Sequence, residues 1–258
     1  YDGSEFLCNP FPDDKPLFTI TAQNLDQYKD KLSPGQIAMF KKYPDSFKMP
    51  VYKSRRPYHM PERIQKLTKQ NALETETVGA TGLKNLNLQG FPFPIPQIGL
   101  EAIWNHIGRW RGDSLERTIG QVTPQANGAY SMVMFKDQLA VTNQLTDYVP
   151  GEDDNVMFYF KQQVTAPARL AGNVLLVHET IDQVKEPRRA WIYNAGQRRV
   201  RRAPQVAYDG PGTASDGMRT SDNFDLYNGS PDRYDWTLKG KREMYIAYNS
   251  YKMDEKGI

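Results

Sequence analysis

Hydrophobic positions change their spacing once along this chain. In the first hundred or so residues they recur at helical intervals or break against proline; beyond residue 114 they alternate. Ser33-Pro34-Gly35-Gln36 is a helix start, with Ser33 as N-cap, Pro34 at the first helical position and Gln36 at the capping-box position. Ile37, Phe40 and Lys41 follow at helical spacing, and Pro44 ends the run. Residues 61–71 predict a second short helix, polar and superficial. Residues 98–109 carry the best helical pattern: Leu100, Ile103, Trp104 and Ile107 fall at i, i+3, i+4 and i+7, one wide apolar stripe. Just before it, Phe91-Pro92-Phe93-Pro94-Ile95-Pro96 can be neither helix nor central strand. Alternating proline predicts an extended, polyproline-like segment that presents Phe91 and Phe93 outward to a partner surface.

After residue 114, strands are predicted over 115–122, 130–135, 139–145, 156–164, 173–182, 189–194 and 198–202. Lys136-Asp137-Gln138 reads as a tight turn, and Asn194-Ala195-Gly196-Gln197 as a hairpin turn with glycine in the left-handed position. A further hairpin is expected from 234–239 and 242–248 across Gly240-Lys241. Strands in close succession without intervening helices mean an antiparallel meander, not a doubly wound sheet. Val156, Phe158 and Phe160 make one face strongly apolar, while Tyr159, Lys161 and Gln163 mark the other. A sheet apolar on one side needs a cover, and the 98–109 helix is the natural one. The expected fold is therefore mainly β (α+β), with helices packed over one face of an antiparallel sheet. The expected organisation is a single domain over 1–258: a Pro-rich wrap of short helices over 1–97, then the lid helix and meander over 98–258.

The chain has 258 residues, of which 39% are hydrophobic, with a mean hydropathy of −0.69. So polar a chain of this length predicts long loops or an open shape. No run of about 18 apolar residues exists, so no helical membrane span is expected. A net charge of +3 is too mild to argue for nucleic acid. Aromatic residues are the informative excess, led by 15 tyrosines, which favour strands and half-wet surfaces. The lone cysteine, Cys8, can form no intrachain disulfide. The start at Tyr1, without a charged-then-apolar leader, reads as a mature or trimmed product.

Candidate chemistry is sparse. His59, His106 and His178 are the only histidines and no two have ligand spacing, so no metal site is expected. A G-x-S-x-G elbow is absent, and Ser215 in Thr213-Ala214-Ser215-Asp216-Gly217 lacks the strand–helix context of one. Gly210-Pro211-Gly212 cannot cradle phosphate, because Pro211 removes a donor amide and no helix follows. These features predict neither enzyme nor cofactor. Residues 207–233 form a long loop rich in Gly, Asp, Ser and Pro, yet Tyr208, Met218, Phe224, Leu226 and Tyr227 within it argue against plain disorder. Its aspartates could hold a cation, but more often such residues cap turns, here with Arg219 and Arg233 as ion-pair partners. The strongest charge feature is the group Lys185, Arg188, Arg189, Arg198, Arg199, Arg201 and Arg202 on two neighbouring strands. Those arginines either guard a sheet edge or dock anionic headgroups or an acidic partner.

Several long strings carry a family resemblance. They include Asn9-Pro10-Phe11, Lys31-Leu32-Ser33-Pro34-Gly35-Gln36, the Phe91–Pro96 segment with its helix, the stretch from Trp191 to Pro204, and Asp232-Arg233-Tyr234-Asp235-Trp236. Together they resemble the proteobacterial periplasmic family of unknown function DUF thirteen-twenty-nine, over nearly the whole chain. The resemblance implies kinship with the lipoprotein carriers LolA and LolB, whose fold is a curved antiparallel half-barrel closed by helices over an apolar cavity. It also implies secretion to the periplasm through a cleaved leader, with possible association with the outer membrane, and genes beside exporters of the RND (MmpL-like) type. Family members are usually longer, so the chain reads as a possible fragment. No catalytic residues are established for the family and none carry over. On this reading, Phe158, Phe160, Val174, Leu176 and Trp191, with Trp104 and Ile107 from the helix, line a hollow for a lipid-like ligand; the same side chains could equally form a closed, dry core. The alternative is a structural or adaptor subunit of an envelope assembly, which would use the Arg hairpin and the Phe-Pro segment as contacts.

Overall fold

A computed structural model describes residues 9–55, 59–149, 155–183, 185–203 and 208–251. Cys8 and Pro204 lie outside the described residues. Where one domain with a wrap over 1–97 was expected, the chain gathers into two compact units, residues 1–60 with 239–258 and residues 61–238.

In the smaller unit, β1 (Phe18–Ile20) pairs antiparallel with β2 (Met49–Val51). The helix α1 (Pro34–Lys42) begins with the expected capping box: the Gln36 amide donates to Ser33 Oγ at 3.1 Å and the Ser33 amide to Gln36 Oε1 at 2.8 Å. Ile20, Leu32 and Phe40 form its buried core. The expected second half of a hairpin over 242–248 is absent. That segment has no strand partner; the Tyr245 amide donates to the Lys31 carbonyl, and Gln36 Nε2 donates to the Tyr245 carbonyl. Its ring stands edge-on to Phe18 and Tyr28, so burial of one tyrosine, with two backbone hydrogen bonds, fixes the segment in place of self-pairing.

The larger unit holds a six-stranded antiparallel sheet. Its strands are β5 (Ser114–Pro124), β6 (Tyr130–Val141), β7 (Val156–Ala166), β8 (Val174–Thr180), β9 (Arg189–Asn194) and β10 (Arg199–Arg202). They pair in sequence order, a meander, and β5 and β10 do not meet to close a barrel. Before the sheet come α2 (Glu62–Glu74), β3 (Glu76–Val78), β4 (Gly82–Lys84) and α3 (Gly99–Gly108).

Three expectations need correction here. The strand β6 runs unbroken through Lys136-Asp137-Gln138, because the inward Asp137 is satisfied in the interior by Gln162 Nε2 at 3.0 Å and by Arg117. The left-handed residue of the β9–β10 turn is Arg198 (φ 53°), not Gly196. The helix α2 is not merely superficial: Ile64 and Asn71 are buried, and Asn71 holds the following loop through Asn87 and Phe91.

Packing explains the rest. Trp104 and Ile107 of α3 meet Met157, Phe158, Ile181 and Leu83 in the principal core. Gly99 opens the helix because a Cβ there would lie 2.3 Å from the Trp236 carbonyl, where the chain crosses. Residues 208–236 form an ordered strap rather than a free loop. Phe224 sits against Phe160 at 5.9 Å, and Ala214 packs on Val133, Phe135 and Val164. Trp236 Nε1 donates to the Pro231 carbonyl at 2.8 Å, and Tyr227, Tyr234 and Trp236 form an aromatic trio. These rings hold 234–238 down in place of the expected strand.

Candidate functional site

Cross-strand partners in a sheet share a face, so the register sorts the side chains into two sets. On one face, Phe160 lies opposite Leu139 and Val177, and Val177 opposite Ala190. Both α3 and the strap pack on this face. Trp104 and Ile107 are buried there at 1% and 5% exposure, and the space between the end of α3 and β6–β7 is about 20 Å³, room for no more than a water. Four of the residues expected to line a hollow, Trp104, Ile107, Phe158 and Phe160, thus belong to a packed core.

Val174, Leu176 and Trp191 lie on the opposite face, so the expected lining set is split. Leu176 stands between Lys161 and Trp191, and Val174 between Gln163 and Tyr193. Because β8 reads Val-Leu-Leu-Val, apolar on both sides, its phase is not legible from alternation. His178 links two aromatic neighbours on this second face, with ring centroids 4.6 Å from Tyr159 and 4.8 Å from Trp191. None of Tyr159, Val174, Leu176 or Trp191 joins a hydrophobic cluster among the described residues, and all four are half-buried. Of these, Tyr159 borders an open depression of about 440 Å³ on β5–β7, lined also by Ala140, Lys161, Gln138 and Glu116 among others. Its polar edge is ordered: Glu116 accepts from Lys136 at 2.8 Å and from Gln138 at 2.7 Å, and these contacts hold its carboxyl below the ordinary carboxylate value.

A second polar group lies at the end of α3. Asp225 of the strap receives Arg109 at 2.8 Å and Arg111 at 3.1 Å. Burial pushes its carboxyl up, but Arg111 and Arg109 outweigh burial and hold it below its ordinary 3.8. Burial lowers the pKa of His106, helped by Arg109; its Nε2 faces the Asp225 carbonyl at 2.7 Å and donates to it, while Nδ1 accepts from Arg109. Nearby, Glu179 and Arg188 form a fully interior ion pair, and burial pushes the Glu179 carboxyl up against the pull of Arg188. These groups tie the strap to the helix and the sheet.

The expected docking residues also divide. Arg188 is withdrawn into the pair with Glu179 and donates to the Asn228 carbonyl, so it is structural. Arg189 pairs with Glu186 at 3.4 Å. Arg198, Arg199, Arg201 and Arg202 are exposed along the edge strand β10 and its turn. Phe93 packs on the principal core, its backbone held by Asn105 on both sides, and Phe91 is half-buried; the outward residue of that segment is Ile95, 80% exposed. Among the loop aspartates, Asp222 and Asp225 make the strap's internal and anchoring contacts, and Arg233 pairs with Asp209, while Arg219 stacks over Phe224 instead of pairing. Sequence reasoning missed Tyr159, His178, Lys161 and Ala140 as neighbours; the alternation in β7 was the available signal. Among the described residues, no group of three or more His, Cys, Asp or Glu side chains is gathered to hold a metal, and no helix is long and apolar enough to cross a membrane.

Fold and site define a mainly β protein: an antiparallel meander with one face sealed by a helix and a strap and the other left half-wet. The chain belongs to the family described as protein of unknown function (DUF1329), whose model matches residues 19–258. It is 64% identical, over all of its length, to uncharacterized protein PA3922 of Pseudomonas aeruginosa, and it spans 56% of that protein. No solved structure matches.

Proposed function

We propose that this chain is a non-enzymatic binding protein or carrier for a lipid-like hydrophobic ligand, acting in the periplasm with an RND-type (MmpL-like) envelope exporter. Kinship with the LolA and LolB carriers is part of this reading, and so is association with the outer membrane. The single observation that carries it is the run of Tyr159, Leu176, His178 and Trp191 on adjacent strands of the face that α3 leaves uncovered, with Tyr159 bordering the 440 Å³ depression. The binding surface is therefore assigned to this face and not to the space under the helix, which its own side chains fill. An acyl chain on an open face hides about half its surface. At ~0.8 kcal/mol per fully buried methylene, a fourteen-carbon chain gains roughly 5 kcal/mol, from which the cost of association and ordering is subtracted, so binding is weak. Weak, exchangeable binding suits delivery.

The test is a titration of the full chain with the uncharged probe N-phenyl-1-naphthylamine. Saturable fluorescence enhancement that Trp191→Ala weakens severalfold is expected; no saturable enhancement overturns the reading. A second reading, an adaptor subunit without a ligand, is favoured by the exposed Arg199, Arg201 and Arg202 along β10. It predicts that neutralising these arginines abolishes recovery with the exporter while the probe never binds.

A further inference from the structure

Resting on the binding reading above, we infer that the second face selects a long-chain carboxylate, with Lys161 receiving the head and Leu176 and Trp191 the tail. The register sets these groups in one row across the sheet: Glu116, Gln138, Lys161, Leu176, Trp191 and Arg202 occupy successive strands. Strands lie about 4.8 Å apart, so the row places a cation about 10 Å from the Trp191 position, with an aliphatic side chain between them. That is the layout of a charged head followed by an apolar tail. Lys161 borders the 440 Å³ depression, which the small Ala140 and Tyr159 also line.

Charge decides the class of head. Glu116 already holds Lys136 and Gln138, so the acceptor and the amide of the row are engaged with each other. Lys161 makes no ion pair among the described residues, and Arg202 at the far end of the row makes none either. On this face Lys136 is paired with Glu116 and Arg189 with Glu186, which leaves Lys161 and Arg202 as the cations without an ion pair among the described residues, and complementarity favours an anion. One ammonium with a carboxylate close by suits a singly charged head; a doubly charged phosphate would meet Glu116 with no guanidinium fork at the site.

The experiment is displacement of N-phenyl-1-naphthylamine from the full chain by three fourteen-carbon competitors: tetradecanoate, tetradecanol and tetradecyltrimethylammonium. Tetradecanoate should compete about tenfold better than tetradecanol, the value of one charge-assisted hydrogen bond at a half-wet site. Lys161→Gln should remove that preference while leaving tetradecanol unchanged, and Lys161→Glu should favour the ammonium competitor. Trp191→Ala should weaken all three together. Equal competition by acid and alcohol, or a preference that survives Lys161→Gln, overturns this assignment while the binding reading stands. Absence of saturable probe binding overturns both.

Discussion

The two faces of the six-stranded sheet are built from the same strands and differ in what satisfies them. On one, Trp104, Ile107 and Phe158 exclude water under α3, and Phe135 and Val164 do so under the strap. Its polar members, Asp137 and Glu179, are buried only with partners, Arg117 and Gln162 for the first and Arg188 for the second. On the other face Tyr159, Leu176 and Trp191 are half-buried, and Lys161 stands exposed beside them. Apolar side chains on a strand thus do not by themselves mark a ligand site. What separates core from binding surface is whether the same molecule supplies the opposing layer.

The contrast can be broken most forcefully from inside. Arg188→Met, which strands Glu179 in the interior, and Trp104→Ala, which opens a cavity beneath α3, should each cost about 3–5 kcal/mol in chemical denaturation. A loss under 1 kcal/mol from either would mean that the covered face is not a tight core. Gly99→Ala forces a methyl into the Trp236 backbone and should cost about 1–3 kcal/mol by the same measurement.

The strap anchor has a pH signature. The folded Asp225 carboxyl lies below its ordinary 3.8, so its contribution is fully present above about pH 4 and is lost as pH falls through the folded value. Asp225→Asn should lower stability at pH 7 by about 1 kcal/mol, since the pair is partly exposed, and should flatten the acid limb of a melting-temperature profile below pH 4. An acid limb identical to wild type would remove Asp225 from the anchor. At the small end, replacing Arg201 with Thr on the edge strand should change stability by less than about 0.5 kcal/mol.

Much of this was legible in the chain. The capping box at Ser33 and Gln36, the apolar stripe of α3 and the order of the strands follow from local chemistry, and the structure has them. What was not legible depended on partners distant in sequence. Lys136-Asp137-Gln138 looks like a turn until Gln162 and Arg117 arrive to satisfy Asp137. Arg188 looks like surface charge until Glu179, one strand away, draws it inward. Tyr234 to Tyr248 alternates like a hairpin, but Gly99, Lys31 and Gln36 offer its backbone and rings better places. The candidate site suffered the same way: three of the seven expected lining residues, Val174, Leu176 and Trp191, lie on the face away from α3, since β8 is apolar on both faces and its phase had to come from the register with β7 and β9.

The division of labour between the faces is tested most directly by Trp191→Ala in the full chain, with probe titration and thermal unfolding read on the same sample. A melting temperature close to wild type with N-phenyl-1-naphthylamine affinity weakened severalfold is the predicted result. Unchanged affinity in a folded Trp191→Ala protein would contradict the assignment of the uncovered face as the binding surface.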